Sequence, residues 1–225
     1  MAEKRNRRAW IPLALTVSAV LLLGIYLSLR MTSPPPGANG IPDPCLQPVD
    51  AVTLATLPLA TRFDFPMGSQ NGALVYNAQR FTENRHLGDD LNGMGGENTD
   101  LGDPVFSVAN GRVLYAGWLS DSWGNCVLLV HAYEENGARK YVQSFYGHLD
   151  HIHVKPNTDI KRGQQIGTVG TAAGKYLAHL HFEMREFATP YLGVGYRENP
   201  AGWIDPSGFL QTHRGAPESD LRPEP

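Results

Sequence analysis

The stretch Leu177-Ala178-His179-Leu180-His181-Phe182-Glu183-Met184 alternates with a period of two. Leu177, His179, His181 and Glu183 fall on one parity; Ala178, Leu180, Phe182 and Met184 fall on the other. That period marks a strand with one polar and one apolar face. On such a strand His179 and His181 point the same way, roughly 7 Å apart. The spacing suits a metal ligand beside a second imidazole. A His-x-His pair occurs on many folds, so it signals a site only if further ligands wait elsewhere in the chain.

Two other segments supply them. In His86-Leu87-Gly88-Asp89-Asp90, an extended backbone puts His86 and Asp90 on one face and turns Asp89 away. Phe145-Tyr146-Gly147-His148-Leu149 brings another imidazole. A hydrolytic zinc site uses three protein ligands and keeps one position open for water. His86, Asp90 and His181 would give two imidazoles and a carboxylate. His148 and His179 would flank the water and the developing oxyanion, one taking the proton and the other stabilising charge or protonating the leaving amine.

The chain here resembles the lysostaphin-type, or LytM-domain, zinc endopeptidases that cut peptide bonds in bacterial peptidoglycan. The resemblance rests on His86-Leu-Gly88-Asp-Asp90, Tyr146-Gly-His148-Leu149 and His179-Leu-His181-Phe-Glu183. Landmarks in between also match: Gly102-Asp103-Pro104-Val105, Asn110-Gly111, Tyr115-Ala116-Gly117-Trp118, Gly124-Asn125 and Lys161-Arg162-Gly163-Gln164. It covers roughly residues 62–184. It implies one Zn2+ per chain, held by His86, Asp90 and His181, with His148 and His179 as the catalytic histidines. It implies peptidoglycan peptides as substrate and leaves room for a regulatory protein partner. How the two histidines divide their roles is not readable from the sequence. Two departures bear on substrate rather than chemistry: a longer loop after Asp90 (91–101), and the segment 185–210, which replaces a short ending.

The rest of the chain agrees with a mostly β domain, an antiparallel sheet of the barrel-sandwich-like LytM type. Runs at 104–109 and 112–116 flank Asn110-Gly111, a strong hairpin signal. Residues 126–133 and 140–146 read as paired strands around the turn at Asn136-Gly137, and 159–167 as strand, turn and strand. Asp50 to Ala60 reads as either a first strand or a packing arm, and 189–208 as irregular. No long stretch after residue 50 has a helical period.

Ahead of the domain, Trp10 to Leu29 is an uncharged apolar run, matching the ~20 residues that cross a bilayer. The basic stub 1–9 precedes it, and a Pro/Gly-rich tether follows over 30–48. The expectation is a single-pass anchor in the cytoplasmic membrane. The peptidase domain, 49–213, would lie outside the cytoplasm, followed by a disordered tail over 214–225. A cleaved signal segment is the competing reading. The formal net charge is -3. Four of the 19 basic residues sit in the first eight positions against one acid, so the remainder is more acidic than the whole. That argues against a nucleic-acid partner. Cys45 and Cys126 lack zinc-finger spacing, and a disulfide between them is not favoured. His131 reads as structural, His151 and His153 as solvated, and Trp118 and Trp123 as packing. Glu183 reads as a residue behind a ligand or on the surface. Two alternatives stay open: a non-catalytic regulator of a cell-wall amidase, and a protease acting on an envelope protein.

Overall fold

The computed structural model describes residues 49–186 and 188–215. The expected anchor at 10–29, the tether at 30–48, Cys45 and the tail beyond residue 215 lie outside the described residues. Among the described residues, no helix is long and apolar enough to cross a membrane.

The domain is built on one large, mostly antiparallel sheet. Its strands are β1 (Leu59–Ala60), β2 (Val75–Gln79), β3 (Asp89–Gly93), β5 (Gly111–Ser120), β6 (Gly124–Glu135), β7 (Ala138–Leu149), β8 (Asp159–Ile160), β10 (Leu180–Arg185) and β11 (Trp203–Ile204). The main path runs β2-β3-β10-β7-β6-β5-β8, with β11 beside β10 and β1 parallel to β6. β4 (Pro104–Phe106) and β9 (Gln165–Thr168) pair separately. Two short helices complete the described fold, α1 (Ala51–Ala55) and α2 (Pro206–Thr212).

β10 is the strand that the alternating stretch announced, though it begins at Leu180; His179 precedes it and bridges to Gly170. All six residues of β10 are buried. Leu180, Phe182 and Met184 enter the main core with Leu91, Val127, Leu129 and Tyr146. Burying each of those three side chains contributes about 1.5–3 kcal/mol. β3 and β7 flank β10, with His181 opposite Asp90 on one side and opposite Gly147 on the other. This register brings together, in the middle of the sheet, residues about 90 positions apart.

One expectation needs correction. The Asn110-Gly111 pair is not a hairpin turn: β4 pairs with β9, while β5 pairs with β6 and β8. Asn110 is used instead for long-range bonds. Its Oδ1 accepts from Arg162 N–H at 2.9 Å and its Nδ2 donates to Leu59 O at 3.1 Å. A Cβ on Gly111 would lie 2.5 Å from His131 Nδ1, so close packing asks for the glycine. The 159–167 segment forms the expected strand, turn and strand, with β8 joining β5 and β9 joining β4. The undecided stretch 50–60 forms helix α1, capped by Asp50 through Thr53 N–H at 2.9 Å, followed by β1. The segment 185–210 is more ordered than its composition suggests, holding β11 and the first part of α2.

His131, expected to be structural, is wholly buried. Its Nδ1 meets Asn110 O at 2.9 Å and its Nε2 meets Ser144 Oγ at 2.7 Å, with Tyr146 Oη 3.0 Å beyond that hydroxyl. Burial pulls the His131 imidazole down to about 4. Cys126 is a buried thiol, pushed up to about 12 mainly by burial.

Candidate metal centre and its histidines

His86 and Asp90 reach the centre by different routes. A 3₁₀ turn over Glu83–Arg85 delivers His86, whose backbone bridges to Tyr196. The bonds Leu87 N–H to Gly195 O and Arg197 N–H to Arg85 O, both 2.9 Å, stitch this edge to the C-terminal segment. Gly88 then passes against β10 so closely that a Cβ would lie 2.4 Å from Phe182 O. Any larger residue would push His86 and Asp90 off the strand that carries His181. Asp89 does point away, as the extended reading requires; it accepts from Phe81 N–H at 3.0 Å and from Ser207 Oγ at 2.6 Å.

Three atoms converge. His86 Nε2 lies 3.0 Å from His181 Nδ1 and 3.3 Å from Asp90 Oδ1, and His181 Nδ1 lies 3.0 Å from Asp90 Oδ1. Two ring nitrogens and a carboxylate oxygen packed this closely need a shared positive charge between them. In the metal-free geometry a proton supplies it. Burial alone pulls His181 down, but its bonds to Asp90 and Glu183 outweigh that and push it up to about 9. Burial raises Asp90, yet the bonds from His181 and His86 hold its carboxyl well below the usual carboxylate range. A tetrahedral ion with ligand bonds of about 2.0–2.1 Å spaces its ligand atoms by about 3.3 Å. The observed triangle fits that spacing, and the donor set of two nitrogens and one oxygen fits zinc.

Behind His181 lies a buried charge pair. His181 Nε2 donates to Glu183 Oε1 at 3.1 Å, which leaves Nδ1 for the centre. Glu183 Oε2 accepts from Arg185 Nη2 at 2.7 Å, Arg185 Nε at 2.9 Å and Trp203 Nε1 at 2.7 Å. Arg185 Nη1 and Nη2 also donate to Tyr191 O and Leu192 O, at 2.5 and 2.7 Å. Glu183 and Arg185 are 0% and 1% exposed. Burial raises Glu183, but Arg185 and the bonds from His181 and Trp203 bring it down to about 2. By contrast, His86 Nδ1 is buried with no hydrogen-bond partner among the described residues.

His148 and His179 stand beside the three ligand candidates. Their rings are 4.8 Å apart, and His148 is 5.7 Å from His181. His148 holds a left-handed backbone, φ +62°, a strain of about 1–3 kcal/mol that recurs at functional sites. Its N–H and its Nδ1 both bond to Trp123 O, at 2.9 and 3.2 Å. His179 Nδ1 bonds to Leu177 O at 2.8 Å, and its Nε2 lies 3.7 Å from Asp90 Oδ1. Each ring therefore commits its Nδ1 to a backbone carbonyl, which leaves Nε2 as the nitrogen available to the centre. Burial, with His181 and His179 nearby, pulls His148 down to about 3 and keeps it neutral.

The structure thus gathers all five residues singled out in the sequence. It also adds walls that sequence reasoning missed. Trp123 stacks on His148 and meets His181 edge-on at 4.9 Å. Tyr176 packs 4.8 Å from His148, and Tyr196 packs 5.1 Å from His86. Tyr196 comes from the segment 185–210. Burial and Asp90 together raise its phenol. Trp118 is 49% exposed, away from this cluster.

Fold and site together define a mostly β domain carrying a centre of the kind that holds one metal ion, with two free imidazoles at its side. The sequence matches Peptidase family M23 over residues 90–192. NlpD is 37% identical over 84 residues in Yersinia enterocolitica, where it is a lipoprotein; the match covers 37% of this chain and 78% of that protein. In Escherichia coli, NlpD is a murein hydrolase activator, and the match is 33% identical, covering 37% of this chain and 20% of that protein. The cell division protein DipM of Caulobacter vibrioides is 43% identical over 84 residues, 37% of this chain and 13% of DipM. Lysostaphin of Staphylococcus simulans is 32% identical over 84 residues, 37% of this chain and 16% of lysostaphin. Its structure, that of an antimicrobial peptidase, superposes with a TM-score of 0.45 at 23% identity, covering 73% of this chain and 60% of that one. Apart from the Yersinia protein, the match spans a fifth or less of these relatives' sequences. The chain belongs to peptidase family M23. The family match begins at Asp90, so His86 stands four residues ahead of it.

Proposed function

We propose that this domain is a zinc-dependent endopeptidase that hydrolyses peptide bonds of bacterial peptidoglycan, held at the outer side of the cytoplasmic membrane by residues 10–29. The observation that carries the reading is the convergence of His86 Nε2, Asp90 Oδ1 and His181 Nδ1 within 3.3 Å of one another, beside two histidines whose Nδ1 atoms are taken by backbone carbonyls. Bound there, zinc brings the pKa of a water to about 7 and polarises the scissile carbonyl.

The chain's own residues do the rest. Glu183 keeps His181 in the tautomer that offers Nδ1. His148 and His179, each holding its Nδ1–H on a carbonyl, present Nε2 to take the attacking water's proton and return it to the leaving amine. Trp123 and Tyr176 pack against His148, and Tyr196 against His86, so that their rings line the centre. The name of the Escherichia coli relative favours a second reading, activation of another cell-wall hydrolase; the complete set of five side chains favours catalysis.

The test is to purify the protein, measure bound zinc and incubate it with peptidoglycan beside a His148→Ala control. About one zinc per chain, with new muropeptides absent from the control, supports the endopeptidase. Zinc without products from peptidoglycan, together with stimulation of an amidase that survives His148→Ala, moves the function to the activator.

A further inference from the structure

The loop between β3 and β4, residues 94–103, is held by a series of hydrogen bonds. Gly93 N–H donates to Asp100 Oδ2 at 3.1 Å, and Leu101 N–H to Asn98 O at 3.2 Å. Gly102 N–H donates to Val169 O and Val169 N–H to Asp103 O, both at 2.9 Å. The loop therefore presents its side chains from a fixed frame.

Two of the asparagines on β3 and this loop meet at a single residue. Asn98 Oδ1 accepts from Ala178 N–H at 2.8 Å, and Asn92 Nδ2 donates to Ala178 O at 3.0 Å. Ala178 is fully buried and precedes His179. The peptide unit between Leu177 and Ala178 is therefore bonded at both ends. Its N–H goes to Asn98 and its C=O takes the Nδ1–H of the His179 ring at 2.8 Å. The following peptide is pinned as well, by Asn92 on its C=O and by Gly170 O on the His179 N–H at 3.2 Å.

We propose that Asn98 is a positioning residue for His179, acting through the Leu177–Ala178 peptide group. A carbonyl whose own amide donates a hydrogen bond is the better acceptor, because bonds in a chain polarise one another. Asn98 thus orients the peptide plane and strengthens the bond that fixes the tautomer and direction of the His179 ring. Asn92 holds the next plane, so both peptide groups leading into His179 are fixed, and with them the carbonyl that the ring's Nδ1 meets. The role in turnover rests on the endopeptidase reading; the placement of the ring does not.

The test compares wild type, Asn98→Leu and Asn98→Asp in the full chain. Kinetics use a soluble cross-linked muropeptide, zinc is counted per chain, and NMR follows exchange of the Ala178 amide. Asn98→Leu removes the acceptor at similar size, whereas Asn98→Asp keeps an oxygen at the same place. The expected result for Asn98→Leu is a kcat about tenfold lower, KM within twofold, zinc unchanged and faster Ala178 exchange. Asn98→Asp restores kcat to within about threefold and restores slow exchange. Unchanged kcat in Asn98→Leu, or unchanged Ala178 exchange, overturns the proposal, as does a folded Asn98→Asp that behaves like Asn98→Leu. If wild type binds zinc but cleaves nothing, the endopeptidase reading falls, and the exchange data alone then decide whether Asn98 holds this peptide.

Discussion

β10 and the loop between β3 and β4 each hold one histidine of the centre, by opposite means. β10 holds His181 from inside the protein. Its brace is an ion pair of Glu183 and Arg185, both almost wholly buried and bonded to Trp203 and two backbone carbonyls. The loop holds His179 from the surface with neutral amides, and Asn98 itself is exposed. A buried charge is costly to leave unpaired, whereas an exposed amide is readily replaced by water. The difference teaches that the candidate ligand His181 is bound into the stability of the fold, while its neighbour His179 is adjustable.

Breaking the β10 side should have the larger consequences. His181→Ala removes the atom that bonds both Asp90 and His86, and equilibrium dialysis should find no stoichiometric zinc and no hydrolysis. Arg185→Met leaves Glu183 buried without its cation. Denaturant titration should show a loss of about 3–5 kcal/mol, and chelator competition a fall of about 10–100-fold in zinc affinity. Equal stability in Arg185→Met would mean that the pair is a surface-like ornament, and the contrast would collapse.

Proton release sharpens the same contrast. In the metal-free protein His181 lies at about 9, above the ordinary 6.5 of the unfolded chain. Its folded-state pKa is raised, so its contribution to stability is complete below pH 6.5 and is lost as pH rises through 9. Zinc must displace that proton. Calorimetry in buffers of different ionisation enthalpy should find about one proton released per zinc at pH 7, with affinity rising with pH up to about 9. Zinc affinity that is flat between pH 6 and 9 would contradict it. The smallest effect belongs to the first residue of the loop: Met94 is 66% exposed, and Met94→Ser should change stability by less than about 0.5 kcal/mol and leave turnover as it was.

The centre was more legible in the sequence than its supports. His86, Asp90, His148, His179 and His181 carried their reading in short-range spacing, because strand parity decides which side chains share a face. β10 was legible for the same reason, and β6 and β7 from the turn at Asn136-Gly137 between them. What escaped depends on partners far along the chain. Asn110-Gly111 looked like a turn because the signal is local, while its bonds to Leu59 and Arg162 are not. Arg185 read only as the start of the segment that replaces a short ending, since nothing beside it in sequence announces the carbonyls of Tyr191 and Leu192. Trp123, Tyr176 and Tyr196 carried no periodic signal at all. Asn98 sat in a loop whose length was noticeable, but whose target, Ala178, lies 80 residues on.

The register of β10 against β3 has a consequence for how the protein comes into being. His181 faces Asp90 across a strand pair that joins residues 91 positions apart in sequence, so no partly made chain can present the ligand triangle. An ion held by this triangle would enter only after a late, long-range strand has docked, and contacts of that kind are slow to form. Assembly of the sheet and acquisition of the metal then become one kinetic event, and local opening of β10 would surrender the ion in the same step.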